Sequence, residues 1–325
     1  MAGAGDRTGH AVLALSGGVG GAKLALGLSK IVPADDLTLV ANTGDDFEHL
    51  GLTICPDIDT LTYTLSGLSN QELGWGRAGE TWNFMAALEA LGGETWFNLG
   101  DGDLALHVER TRRLAEGESL SEVTADLTQR LGIKVPVLPM SDDPVRTVVH
   151  TQDADLAFQH YFVRERCAPS VTGFSFQGIY RANPHPRLLE LLADPGLAAV
   201  VITPSNPFVS IDPILQLPGV SQAFKACKAP IVAVSPIVGG QAIKGPAAKM
   251  MAELGMPVTA LEVARHYAGL IDGFVLDRVD SQLRDEIGDL RLAVHVTNTV
   301  MRSLDDRIAL ARDVIAFASK LRALR

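Results

Sequence analysis

Cysteine is scarce in this chain: Cys55, Cys167 and Cys227 are three among 325 residues, too few and too scattered for a disulfide framework or a zinc ribbon. A reduced, cytoplasmic setting suits them, with Cys55 as a small packing residue. No apolar run approaches the roughly 20 residues that span a bilayer. The polar start, residues 1–10, also lacks the basic and apolar stretches of a signal peptide. A basic excess is missing too. At a formal charge of −10 the chain cannot assemble the face that neutralises a run of nucleic-acid phosphates, whereas one nucleotide needs only a few local donors. The same imbalance leaves carboxylates available to a divalent metal. Three catalytic signatures are absent: the P-loop G-x-x-x-x-G-K-[ST], the zinc-protease H-E-x-x-H and the hydrolase elbow G-x-S-x-G.

What is present, 47% hydrophobic and 20% charged residues, describes a folded α/β domain with room for a smaller one. Residues 11–15 read as a strand, 22–30 as a helix stopped before Pro33, and 37–41 as the next strand, which makes a βαβ unit. Helices follow at 59–66 and 81–90, then an apolar segment at 95–99 that reads as a strand. Residues 104–131 have helical spacing, and Ser119 with Glu122 forms a capping box. An extended run from 135 to 163 breaks the rhythm, so 101–186 reads as an inserted helical and β-rich subdomain. Strands at 198–203, 230–235, 273–276 and 290–295 then alternate with helices at 186–192, 220–225, 246–254, 260–270 and 305–324. The fold class expected is a Rossmann-like, doubly wound, mostly parallel sheet whose core is 1–100 with 187–325.

The chemistry gathers at strand ends. Ser16-Gly17-Gly18-Val19-Gly20-Gly21-Ala22-Lys23 lies between strand and helix, where backbone N–H groups face a bound phosphate and glycines admit it closely. Asp45, Asp46, Asp57 and Asp59 follow the second strand, and carboxylates so close to a phosphate call for a cation, Mg²⁺ by preference. Asp59 as a helix cap and Asp45 or Asp46 as a turn residue is the plainer alternative. Trp75 and Trp82 flank a polar, glycine-bearing loop and could stack on a planar ligand. Asp101 and Asp103 add acids at the same edge, while 139–145 reads as a turn. Two later loops, carrying Ser205 and Asn206 and then Ser235, Gly239 and Gly240 with Lys244 beyond, suit a base or a diphosphate. Each histidine reads as a core or surface residue.

In this order and number, the motifs resemble the 2-phospho-L-lactate transferase (CofD) family over nearly the whole chain. The resemblance implies an enzyme that moves a phospho-carboxylic-acid unit from a guanosine-diphosphate-linked donor to the deazaflavin Fo. GMP is released, and a precursor of coenzyme F-420 is formed. It implies Mg²⁺ dependence and a homodimer. Carried over by position, the deazaflavin contacts fall on Asp59 and Asn98 and the metal-binding acids on Asp45 and Asp57; on physical grounds Asp59 is expected to orient the ribityl hydroxyl and is the candidate to accept its proton, the choice among the carboxylates staying open. Where the family usually has Gly-Asp-Arg-Asp, this chain has Gly100-Asp101-Gly102-Asp103, so a guanidinium near the site is missing. Lactate, enolpyruvate and glycerate therefore stay open as the donor acid. A nucleotide-sugar-binding regulator of the gluconeogenesis-factor family is the nearest alternative. Against it, Asp45-Asp46 here runs into Phe47-Glu48-His49. An NAD-dependent dehydrogenase lacks its G-x-G-x-x-G spacing.

Overall fold

A computed structural model describes residues 10–72 and 74–324, so the reading of the polar start lies outside the described residues except at His10. Short runs of Val, Leu and Ala form the buried strands β1 (Ala11–Ser16) and β2 (Leu37–Ala41). Between them α1 (Gly18–Ser29) begins inside the glycine loop, with extended Gly17 as its N-cap. A hairpin not foreseen from the sequence, β3 (Phe47–His49) and β4 (Leu52–Ile54), closes through Leu50 and Gly51. Both turn residues have positive φ, as a two-residue turn matching strand twist requires. Next come α2 (Pro56–Ser66), with proline in its first turn, and α3 (Asn83–Ala90). Residues 95–99 form no strand. Their apolar side chains serve a satellite core instead, in which Trp96, Phe97 and Leu99 pack with Phe47, Ile54 and Met85.

Two helices follow, α4 (Asp101–Ala115) and α5 (Leu120–Arg130), the second opened by the Ser119 and Glu122 capping box. From here the structure departs from a simple insertion at 101–186. β5 (Val137–Pro139) pairs with β2 as the edge strand of the central sheet. β6 (Arg146–Thr151), β7 (Asp155–Ala157) and β8 (Val171–Gln177) make a separate antiparallel sheet. The alternation then resumes with α6 (Pro186–Ala193), β9 (Leu197–Ile202), α7 (Asp212–Leu215), α8 (Val220–Ala226) and β10 (Ile231–Val234). A small hairpin, β11 (Ile237–Val238) and β12 (Gln241–Ala242), leads to α9 (Ala247–Glu253) and α10 (Ala260–His266). The chain closes with β13 (Gly273–Asp277), α11 (Arg284–Gly288), β14 (Ala293–Thr297) and α12 (Leu304–Ala323).

The central sheet has seven strands in the order β14-β13-β10-β9-β1-β2-β5, and its pairings are all parallel. The chain winds outward from β1 through β2 to β5, then returns to β9 and winds the other way. That reversal places a crevice at the carboxyl ends of β1 and β9, where open α/β sheets bind ligands. On one face α1 and α12 cover the sheet through Leu24, Leu28, Leu310 and Val314. The other face joins the small sheet in a larger core that includes Leu13, Leu15, Val149, Phe176 and Phe274. Leu24 is fully buried and Leu91 is 86% exposed. Leu24→Ala should cost about 2–5 kcal/mol and visibly lower the calorimetric unfolding midpoint. Leu91→Ala should leave it within the effect of about 0.5 kcal/mol.

Candidate active site

The glycine loop and the loop after β9 are pressed together across the crevice. The Gly17 N–H donates to Ser205 Oγ at 3.1 Å, and that hydroxyl donates back to the Gly17 carbonyl at 2.8 Å. A Cβ on Gly17 would lie 2.6 Å from Ser210 Cβ and 2.8 Å from Asp57 Oδ2. One on Gly21 would lie 2.6 Å from Ser205 Oγ, and one on Gly20 would strike the Pro204 carbonyl. These three glycines thus let two loops touch. Gly18 is different: its φ is +64° and the space beside it is open, so it is where a ligand can reach the loop.

The other residues singled out for the nucleotide have internal duties. The Asn206 carboxamide oxygen accepts from the Phe208 N–H, and Ser235 Oγ both donates to the Ile237 carbonyl and accepts from its N–H. Gly239 and Gly240 make the positive-φ turn between β11 and β12, with the Gly239 N–H donating to Asp280. Lys23 Nζ donates to the Met301 carbonyl at 3.2 Å.

Four aspartates, two in the loop after β2 and two in the first turn of α2, are all buried at this edge. Asp57, in the first turn of α2, accepts from the Gly18 N–H at 2.6 Å and from Asn42 Nδ2 at 2.9 Å. The turn residue of the preceding loop is Asn42, whose Oδ1 accepts from the Gly44 N–H, rather than Asp45 or Asp46. Burial raises the Asp45 pKa well above the usual range, and neighbouring Asp57 raises it further. Burial likewise lifts Asp57 to about 6 and Asp46 to about 8. One oxygen of Asp45 and one of Asp46 are fully buried without a hydrogen-bond partner. Among the described residues no set of three or more His, Cys, Asp or Glu side chains is arranged to hold a metal unaided. Asp45 and Asp57 nevertheless fit the habit of Mg²⁺, which takes one or two carboxylates and fills its octahedron with water and phosphate oxygens.

Asp59 is not a helix cap; Cys55 holds that position. Both Asp59 oxygens accept from the buried Arg110 guanidinium on α4, Oδ2 from Nη1 at 3.1 Å and Oδ1 from Nη2. Burial opposes the Arg110 charge, but Asp59 and its neighbours more than offset this and hold the guanidinium above its ordinary pKa. From Asp59 a chain of polar groups runs outward. His107 Nδ1 is 3.7 Å from Asp59 Oδ2, His107 Nε2 is 3.1 Å from Asp103 Oδ2, and Tyr63 donates its hydroxyl to Asp103 Oδ1. Asp103 is mostly buried, yet His107 and Tyr63 keep its pKa low.

Asp103 ends this chain on the wall of a cavity of about 180 Å³ that it shares with Trp75, Trp82, Asn98 and Arg77. The structure therefore brings together both tryptophans and Asn98 as the sequence suggested, and leaves Asp59 behind the wall. It also supplies the guanidinium that the sequence lacks. Arg77 Nη1 sits where a side chain at Gly102 would begin, bonded to Glu80 at 3.1 Å, and Glu80 accepts the Gly102 N–H at 2.6 Å. Asp101 turns away to cap α3, accepting from Thr81, Asn83 and Phe84. A larger cavity of about 720 Å³ lies between Asp45, Asp46 and the small sheet, lined also by Arg146, His150, Asp155 and His160.

Sequence reading passed over Arg77, His107, Arg110 and the larger cavity. For α4 a signal did exist: Asp103, His107 and Arg110 recur every three or four residues on the face that packs inward. The acids generate a pH prediction. A carboxyl whose folded pKa is raised favours the folded state below its unfolded pKa and loses that contribution as pH climbs through the folded value. Without metal, the unfolding midpoint should fall as pH rises from about 4 to about 8, and Asp46→Asn should flatten the upper half of that slope. A variant as pH-sensitive as the wild type would contradict the burial of Asp46.

Comparison with known proteins identifies the family. The family described as 2-phospho-L-lactate transferase CofD matches residues 12–305. A phosphoenolpyruvate transferase from Streptomyces griseus is 40% identical over 96% of this chain and 99% of its own. A 2-phospho-L-lactate transferase from Methanosarcina mazei is 37% identical over 94% and 99%. In fold alone, the crystal structure of a Bacillus halodurans protein superposes with a TM-score of 0.61 at 14% identity, covering 95% of this chain and 99% of that one. The chain belongs to the 2-phospho-L-lactate transferase CofD family and is a transferase.

Proposed function

We propose that the protein moves a phospho-carboxylic-acid unit, of the enolpyruvyl or lactyl type, from a guanosine-diphosphate-linked donor to the deazaflavin Fo in coenzyme F-420 biosynthesis. The observation that carries the reading is the convergence of Trp75, Trp82, Asn98 and Asp103 on one cavity beside the acidic sheet edge. Two indole faces suit a flat tricyclic ring, and the Asn98 amide can meet its polar rim. Arg77 on the same wall suits the carboxylate of the donor acid.

In the transfer, the ribityl hydroxyl oxygen of Fo bonds to the phosphorus that carries the acid. The anhydride P–O bond on the opposite side breaks, and GMP leaves with its electron pair. The hydroxyl proton passes to Asp103, whose carboxylate faces His107 Nε2 at 3.1 Å and accepts from the Tyr63 hydroxyl. Because such a transition state is loose, the proton leaves late and a carboxylate of low pKa is a sufficient acceptor. Both oxygens of Asp59 are taken up by Arg110, whose Nη1 also lies 3.4 Å from the imidazole Nδ1, so Asp59 does not take the proton. Asp45 and Asp57 would hold Mg²⁺, which when bound offsets charge on the phosphoryl oxygens. The reading places the enzyme in the cytoplasm as a homodimer.

Titrating Fo into the protein should quench the deazaflavin fluorescence. Trp75→Ala and Trp82→Ala should each weaken binding about tenfold, within the roughly 1–3 kcal/mol of an aromatic stack. Asp103→Asn should bind Fo nearly normally and transfer at least a hundredfold more slowly, within the usual range for a positioned proton acceptor. A wild-type protein that leaves Fo fluorescence unchanged would overturn the proposal.

A further inference from the structure

Two carboxylates tie the segment that carries Arg77 and Trp82 to the first turn of α4, and they reach in opposite directions. Asp101 donates its N–H to the Thr81 carbonyl at 3.0 Å, while its carboxylate accepts from the Thr81 hydroxyl and from the Asn83 and Phe84 N–H groups. Glu80 reaches back the other way. Its Oε2 accepts the Gly102 N–H at 2.6 Å and its Oε1 accepts from Arg77 Nη1 at 3.1 Å, with only 6% of the side chain exposed. Two glycines make the space for this pair: a Cβ on Gly100 would lie 2.3 Å from the Glu80 carboxyl carbon, and one on Gly102 would lie 2.1 Å from Arg77 Nη1. Neither glycine has a positive φ, so both are bare for room and not for backbone conformation.

The way Glu80 divides its two oxygens leaves Arg77 usable. One oxygen faces the N-terminal end of α4, whose dipole favours a negative charge, and the other takes one of the five guanidinium N–H donors. Among the described residues no acceptor engages Arg77 Nε or Nη2. Those two nitrogens form an edge that can receive a carboxylate through two parallel bonds. Arg77 lines the cavity with Trp75, Trp82, Asn98 and Asp103, and its backbone is bridged to Ser69, so the guanidinium is carried on an anchored turn.

We propose that Glu80 is a positioning residue for donor recognition: it holds one end of the Arg77 guanidinium so that the free edge reads the carboxylate of the donor acid, an arrangement that Gly100 and Gly102 admit. The inference rests on the donor and acceptor of the proposed function. It adds the residue that aims the guanidinium, and it makes the anionic carboxylate, more than the carbon skeleton of the acid, the feature selected at this wall. A fork already oriented loses less freedom when the carboxylate arrives than a loose arginine would.

Steady-state kinetics at saturating Fo test this, with the lactyl and enolpyruvyl guanosine-diphosphate donors and the methyl ester of each. Glu80→Ala removes the hold on Arg77. Gly102→Ala displaces the guanidinium by its Cβ alone, and because alanine favours a helix more than glycine does, it should leave the unfolding midpoint no lower. This second variant decides the question even if Glu80→Ala fails to fold. Both variants should raise the KM of the acid donors about tenfold and leave kcat within about twofold, the pattern of lost ground-state binding. The wild type should prefer acid to ester about tenfold, and the variants should lose that preference. An unchanged acid-donor KM in Gly102→Ala would overturn the inference, as would an equal rise in KM with the esters. Transfer to Fo by the wild type in the same assays would leave the functional reading standing. A wild type that transfers from neither donor would overturn that reading and the inference with it.

Discussion

The acidic edge of this sheet depends on one buried guanidinium. Arg110 reaches from α4 to both oxygens of Asp59 on α2 and lies close enough to Asp46 and Cys55 to act on their charge. Without it, Asp59 would be a buried carboxylate with two carboxylate neighbours and no countercharge, a situation that costs several kcal/mol. With it, α4 is fixed against α2 at the point where Asp103 and His107 must line up. The ion pair thus sets the position of Asp103 on the wall of the smaller cavity without reaching that wall itself.

A second constraint acts at the crevice. The loops after β1 and β9 meet so closely that three glycines and the Ser205 hydroxyl are needed to join them. The glycine loop is therefore mainly a seam that ties the two windings of the sheet together. Only Gly18 is open at its surface, and its N–H already points at Asp57. The proposed phosphate chemistry accordingly lies outward from the loop, toward the buried carboxylates of the α2 start and of the loop after β2.

Much of this architecture was legible because it follows from local pattern. The βαβ start, the Ser119 capping box and the return to alternation after residue 186 all come from periodicity and turn chemistry. Residues 95–99 misled because a short apolar run looks the same whether it enters a sheet or fills a satellite core. β5 was hidden in an apparent insertion because its partner, β2, lies far back in the chain. The site shows the same division. Trp75 and Trp82 stood out by residue type and Asn98 through the family resemblance, but Arg77 replacing a guanidinium at position 102 depends on a contact between loop and helix that spacing does not encode. Asp59 was conspicuous as an acid, and only the structure shows both its oxygens held by Arg110, which is why the proposed proton acceptor is Asp103.

The central claim is that the acceptor ring lies between Trp75 and Trp82 with its hydroxyl side chain directed at Asp103. A crystal structure of the protein with Fo bound tests this most directly. The account predicts the tricyclic ring in the smaller cavity and the terminal ribityl oxygen within hydrogen-bonding distance of Asp103. A ring seated instead in the larger cavity, between Arg146 and the small sheet, would contradict it.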